Sequence, residues 1–464
     1  MPIWFQALIV LAMVWVVARV IKRRVRLFQR FFIPSSIIGG VLLLLIGPQV
    51  VGVVPAEMTS FLAILPALLI NVVFASLFLG KPIPSPKTIW RSSGSMIAFG
   101  STIAWGMYVL AIVLVLFLLG PLFGVPSVFG TLLELSFSGG HGTAAGFAPM
   151  FADFGWSSAT DVALGLATFS IIAAIILGLL IINVYNRRSG RILDEASMKV
   201  QQNRMIRNGY SLVRVTKMFE TNPRDGAFVL ALIGAAIGIG WCIQQGIVWA
   251  ENALLGDTTD MRVFTYLPLF TLAMFGGLIV TLLLKWGKFE RLVNAGVVQN
   301  FSSIALDLLI ITAIGTISLT AIADNVIPFV TLAVMGTVWI VFSLFVLAPR
   351  IFRKHWFEFG MTDFGQAMGT TATGLLMNRL VDPLNKSGAR EAFAYKQLAY
   401  EVFMGGGIAT ALMAALILED GVWTALIIAV VLTLFWLIVG LILGRKTSKR
   451  QRKQLKVGGF VVKQ

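Results

Sequence analysis

The chain has 464 residues, 58% of them hydrophobic and only 12% charged, with a mean hydropathy of +0.88. Soluble chains carry about 25% charged residues, so a water-soluble globular protein is excluded. The formal net charge of +16 comes without the aromatic interleaving of a nucleic-acid surface, and the single cysteine, Cys242, excludes an internal disulfide and a Cys/His metal or redox centre.

Apolar stretches of about 20 residues, the length that crosses a bilayer as a helix, recur from end to end. They predict eleven spanning helices, at 3–21, 34–54, 61–80, 95–119, 162–184, 227–250, 263–284, 297–318, 326–348, 394–417 and 422–444. The first is longer than a signal-peptide core and runs into a basic flank, so it reads as a retained helix. Two apolar but broken segments remain, near 128–150 and 358–379. The first contains LELSFSGGHGTAAGFAPM, residues 133–150. Glycine costs about 1 kcal/mol per residue inside a helix. Broken backbone at membrane depth is tolerated only where protein buries it or it lines a wet cavity. Both segments are therefore expected to be re-entrant loops, with free amides, carbonyls and hydroxyls at their tips.

Lysine and arginine set the orientation. With the N-terminus outside, the inside segments are 19–30, 81–91, 187–224, 285–291, 350–354, 379–396 and the tail from 445. They hold 36 of the 37 basic residues, Arg262 being the exception. The outside loops carry Glu57, Glu251, Asp257, Asp260, Glu419 and Asp420. Letting either broken segment cross the membrane would destroy this bias. The expected C-terminus is cytoplasmic, and attraction to anionic lipid accounts for the basic linker and tail.

The linker at 187–225 divides two similar halves. Residues 1–186 give four helices, a re-entrant segment and one helix. Residues 226–417 repeat that order in the opposite orientation, and 418–464 add a final helix and a basic tail. Opposed halves are the inverted-repeat plan of secondary transporters. Thr143-Ala144-Ala145-Gly146 echoes Thr371-Ala372-Thr373-Gly374. The fold class expected is thus all-α integral membrane, with about 11 transmembrane helices and two re-entrant loops whose tips meet near midplane.

Residues 135–169, LSFSGGHGTAAGFAPMFADFGWSSATDVALGLATF, resemble the bacterial sodium/glutamate symporter family. The Ser-Gly-Gly-His-Gly-Thr core, the run at 159–163 and Ala167-Thr168-Phe169 carry the likeness. It extends more weakly to Pro34–Gly40, Asn71, residues 302–306 and the FGQAMGTTATG region. The resemblance implies an inner-membrane, sodium-coupled symporter acting as a homodimer. A mobile domain would carry the re-entrant tips against a scaffold in an elevator movement. Residues 364–372 depart from the family pattern, Thr370 standing where it has proline and Ala367 where it has glycine. Asp307 likewise stands where an apolar or thioether residue is expected.

The candidate substrate contacts are Asn71, Ser138, Gly139, Gly140, His141, Gly142, Thr143, Gly369, Thr370, Thr371, Asn378 and Arg379. The glycines permit a tight tip or, alternatively, close helix packing. Arg379 suits a carboxylate bidentately, or is simply a cytoplasmic flank charge. His141 has no nucleophile or metal partner in sequence; it donates to a substrate carboxylate or fixes the loop. The candidate sodium ligands are Ser138, Thr143, Asp307, Thr371, Thr373 and Glu401. The hydroxyls alternatively back-bond within helices. Asp307 is a lone carboxylate mid-helix, a functional position by default: a sodium ligand, a proton site or a partner for Arg379. Glu134 and Glu401 are sodium ligands or halves of internal ion pairs. No GxxxxGK[ST] loop and no nucleophile–base constellation is present, so neither ATP-driven transport nor an enzyme is expected. No cofactor is expected beyond sodium as the coupling ion. The leading function is sodium-coupled uptake of glutamate or a related organic anion. A proton-coupled carrier in the same fold is the alternative, with a channel behind it.

Overall fold

Long apolar runs with no proline in their interiors hydrogen-bond their own backbone, which lipid requires. The first such run forms α1 (Ile3–Arg24), closed by Lys22, Arg23 and Arg24 in its last turn. This computed structural model describes residues 1–30, 33–81, 83–189, 223–255, 267–383, 385–419 and 421–458. Most of the expected linker, residues 190–222, lies outside the described residues, as do Arg262 and the last six positions. Every regular element among the described residues is helical.

In chain order there follow α2 (Ser35–Ile46), α3 (Ala56–Leu62), α4 (Leu65–Ala75) and α5 (Pro86–Leu114). Next come the short α6 (Phe129–Phe137) and α7 (Gly140–Gly146), then α8 (Ser157–Ser189). The second half brings α9 (Pro223–Leu255), α10 (Leu269–Trp286), α11 (Ala295–Gly315) and α12 (Val326–Phe342). It continues with α13 (Trp356–Ala367), α14 (Thr371–Val381), α15 (Ala389–Phe403), α16 (Ile408–Leu418) and α17 (Val422–Gly458). Ten helical stretches among the described residues are long and apolar enough to cross a membrane, some of them built from two consecutive helices. The second expected span, 34–54, is instead the 12-residue α2. Its helix stops because Pro48 disfavours helical backbone at the residue before it, and Gly47 is extended. The expected helix 394–417 is two helices, α15 and α16, parted at Met404–Gly407.

Both broken segments are helix–break–helix. The α13–α14 pair is an antiparallel hairpin. A Cβ on Gly365 would lie 2.8 Å from Thr373 O, one on Gly374 2.8 Å from Thr362 O, and Asn378 donates to Thr362 at 3.0 Å. Contacting residue numbers rise on one helix as they fall on the other, so the chain reverses at 368–370.

The two halves share more than the Thr-Ala-x-Gly echo. After α5 and after α12 the helix passes through one π turn, Val115–Leu119 and Ser343–Leu347. A proline follows each, Pro121 and Pro349, whose ring cannot accept the regular helical path. Leu116-Phe117 with Leu344-Phe345, Pro121 with Pro349, Phe129 with Phe357 and Thr143 with Thr371 all lie at one separation of 228 positions, with no gap.

The helices pack into two bundles, and each half of the chain contributes to both. One bundle joins α1 to α4 with α9, α10 and α11; the other joins α5 to α8 with α12 to α17. In the first, α9 and α10 cross at backbone distance: a Cβ on Gly276 would fall 1.9 Å from Ala236 O, and one on Gly240 2.5 Å from Ala273 N. Small residues at helix crossings are what membrane packing selects. The bundles meet where α7 lies on α4 and α11, with Ile70 Cδ1 2.6 Å and Leu309 Cδ1 3.8 Å from the point a Gly142 Cβ would occupy.

Candidate functional site

The breaks of the two short-helix segments touch. Gly140 has φ +69, and a Cβ built on it would lie 3.5 Å from Thr370 Cγ2 and 3.7 Å from Gly369 O. Ser138–Thr143 are all buried or nearly so. Ser138 Oγ and His141 Nδ1 are buried with no hydrogen-bond partner, while His141 Nε2 meets Thr168 Oγ1 at 2.9 Å. Buried polar atoms are nearly always paired, so this tip presents unused bonding capacity beside its counterpart.

A third break joins them. Gly405 and Gly406 hold φ +67 and +104, backbone that favours glycine. They open the α15–α16 helix against the first tip. Gly405 O accepts from Thr143 Oγ1 at 2.9 Å, and Gly406 O from Thr271 Oγ1 at 2.8 Å. Gly405 N donates to Glu134 Oε1 at 3.0 Å, and Gly406 N to Thr410 Oγ1 at 3.2 Å. Glu134 is fully buried on α6, and its second oxygen accepts from Tyr108 at 2.9 Å and Thr410 at 3.2 Å. The amides and carbonyls of Gly405 and Gly406 are thus each taken up by a side chain, as a membrane interior demands.

On the far side of α15, Thr371 at the start of α14 donates to Glu401 Oε1 at 2.7 Å, and Gln397 donates to both at 2.6 and 3.1 Å. One turn away, Lys396 Nζ donates to Asp363 Oδ1 at 2.5 Å and to Gln366 Oε1 at 3.1 Å. Polar side chains on α6, α13, α14 and α15 therefore run as one band past both tips.

Among the expected site residues, Ser138–Thr143 and Gly369–Thr371 are brought together, with Thr373 at 3.4 Å from Thr370 and Glu401 on Thr371. Asn71 lies on α4, its amide nitrogen back-bonded to Ala67 O at 2.8 Å and its oxygen buried without a partner. Asn378 is turned into the hairpin toward Thr362, with Arg390 3.4 Å from its oxygen. Arg379 is exposed. Asp307 does not meet Arg379: it faces α1, where Arg19 Nη2 lies 3.3 Å and Trp15 Nε1 3.5 Å from its Oδ2. The helical turn decides this, since Leu309, two residues on, points the opposite way to α7. Asp363, Gln366, Lys396, Gln397, Tyr400 and the glycines at 405–407 escaped the sequence reading. Lys396 was counted there with the inside flank, yet it is 0% exposed. The signal for Asp363 was present: a carboxylate within the apolar, glycine-rich run FGMTDFGQAMG, residues 359–369, is costly in a membrane protein, as at Asp307.

The chain is 24% identical over 262 residues to the sodium/glutamate symporter of Escherichia coli (strain K12) and, equally, to that of Shigella flexneri. Each alignment covers 55% of this chain and 59% of the relative, so the chain spans about three-fifths of the length of the curated relatives it matches. A family model described as sodium/glutamate symporter matches residues 4–377, a range that includes both touching breaks and the whole separation between them. With most of its length matched by that family's pattern, this multi-pass membrane protein belongs to the sodium/glutamate symporter family.

Proposed function

We propose that the chain couples the inward movement of sodium to uptake of glutamate or a related organic anion across the inner membrane. The observation that carries this reading is the contact of Gly140 with Gly369 and Thr370. Two helix breaks from opposite halves of the chain converge with unpaired hydroxyl and imidazole atoms beside them. Broken helices at such a junction offer amides to an anion and carbonyls to a cation. The substrate would lie between Ser138–Thr143 and Gly369–Thr371, with Asn71 reaching from α4. Sodium would take oxygens from Ser138, Thr143, Thr371, Thr373 and Glu401. Family membership and the likeness to two sodium/glutamate symporters support the choice of ion and anion.

The rest of the assembly belongs to the same proposal. The constant separation of 228 positions and the basic-residue bias support an inverted repeat with re-entrant segments, N-terminus outside and C-terminus cytoplasmic. The two bundles support an elevator, the bundle of α1–α4 with α9–α11 serving as scaffold in a homodimer. One sodium cancels the charge of one glutamate. Each further sodium gains about 2.3 kcal/mol per 100 mV of membrane potential, so accumulation driven by the potential needs at least a second ion.

Uptake of labelled glutamate into proteoliposomes tests the reading. An inward sodium gradient is expected to drive accumulation, with aspartate and other carboxylates competing according to fit. Accumulation that ignores sodium and follows an inward proton gradient would replace it with the proton-coupled alternative.

A further inference from the structure

Lys396 lies beyond the residues matched by the family pattern and is wholly buried, as is Asp363. Its ammonium has Asp363 Oδ1 at 2.5 Å and Gln366 Oε1 at 3.1 Å. The ring face of Tyr400 stands 4.1 Å away, centroid to Nζ. Space for it is made on α5: a Cβ on Gly100 would lie 2.6 Å from both Cε and Nζ. The second Asp363 oxygen is buried without a partner. Glu401 is the other carboxylate whose charge reaches the ammonium. A carboxylate with a spare oxygen, an amide oxygen turned inward and an aromatic face make a surround for a compact single positive charge. Lysine is itself such a point charge on a flexible stem.

We propose that Asp363, Gln366 and Tyr400 form a monovalent-cation site, of sodium-like hard-oxygen character, that this chain fills with its own Lys396 ammonium. A positive charge is thereby carried permanently beside the converging breaks instead of being drawn from solution. The consequence for ion coupling rests on the sodium-coupled reading above; the site does not. If the lysine stands in for an ion, removing the side chain while keeping Asp363 vacates a binding site rather than merely breaking an ion pair.

The experiment compares full-length wild type, Lys396→Ala and Lys396→Ala with Asp363→Asn. Each is purified in sodium chloride and in N-methylglucamine chloride, and folded yield and melting temperature are read against sodium concentration. Lys396→Ala is expected to gain a saturable rise in folded yield or melting temperature with sodium beyond that of wild type. The double variant is expected to lose the gain. A Lys396→Ala response to sodium no greater than wild type, or aggregation in both salts alike, would mark a structural ion pair and overturn the proposal. So would a gain that persists when Asp363 is also neutralised. Because binding is read without transport, a wild type with no sodium-driven uptake but a Lys396→Ala variant that binds sodium would reject the coupling reading alone.

Discussion

At Gly406 a single added methyl should be costly. A methyl on Gly406 would meet Thr143 Oγ1 at 2.6 Å and Phe74 Cζ at 3.0 Å, in backbone at φ +104. Strain of this kind costs about 1–3 kcal/mol. Gly406→Ala is therefore expected to lower both melting temperature and uptake. Thr143→Val keeps the shape but removes the donor to Gly405 O. A hydrogen bond of this kind contributes about 0.5–1.5 kcal/mol, so uptake per folded molecule should fall several-fold with abundance near wild type. Undiminished uptake by Thr143→Val would mean that the third break does not hold the first tip. Asp307 gives the opposite expectation. It pairs with Arg19 on α1 at 3.3 Å, away from both tips. Asp307→Asn keeps an acceptor for the guanidinium and should leave the sodium dependence of uptake per folded molecule close to wild type; a shifted sodium dependence would restore it to the ion path. The tip residues were legible because glycine and hydroxyl clusters stand out in an apolar chain. Lys396 was not, because counting basic charge cannot distinguish a lysine in the headgroup layer from one a turn deeper.

At the scale of elements, hydropathy located nearly every helix but could not see breaks that leave it high. Met404–Gly407 is flanked by apolar residues, so the span at 394–417 read as continuous. Backbone at positive φ divides it, and the three consecutive glycines at 405–407 were the signal in the sequence. The two π turns were equally hidden, although the prolines at 121 and 349 mark where the helical path must change. The crossing of α9 and α10 yields a paired test. Gly276→Ala would set a methyl 1.9 Å from the Ala236 carbonyl, so backbone must move. Overpacking costs about 1–3 kcal/mol even where side chains alone shift, and the variant should show a clear loss of melting temperature. Gly238, on the same helix α9, would place its Cβ within 4 Å of nothing. Gly238→Ala should be neutral or stabilising by up to about 1 kcal/mol through helix propensity. Equal melting temperatures for the two variants would contradict the crossing geometry.

For the whole molecule, the alternation of the chain between two bundles is the property with mechanical meaning. Apolar runs of spanning length made the order of helices readable in the sequence. Their partition into bundles was not readable, because it depends on which faces pack, and apolar faces look alike to lipid and to protein. If one bundle slides against the other, contacts between them must break in each cycle while contacts within a bundle persist. Ile70 on α4 and Gly142 on α7 face each other across the boundary, with Ile70 Cδ1 2.6 Å from a Gly142 Cβ. Gly178 on α8 and Met377 on α14 face each other inside the second bundle, with Met377 Sδ 2.7 Å from a Gly178 Cβ. Cys242 is free and exposed, so Cys242→Ser supplies the background. In it, cysteines at 70 and 142, joined by a short thiol-specific crosslinker, are expected to abolish most sodium-driven uptake, and a reducible linker should restore it on cleavage. The same treatment of cysteines at 178 and 377 should spare uptake, since those two helices travel together. Full transport by protein crosslinked at 70 and 142, measured against the extent of crosslinking, would rule out sliding at this boundary. The site would then have to open by motion of the short helices alone.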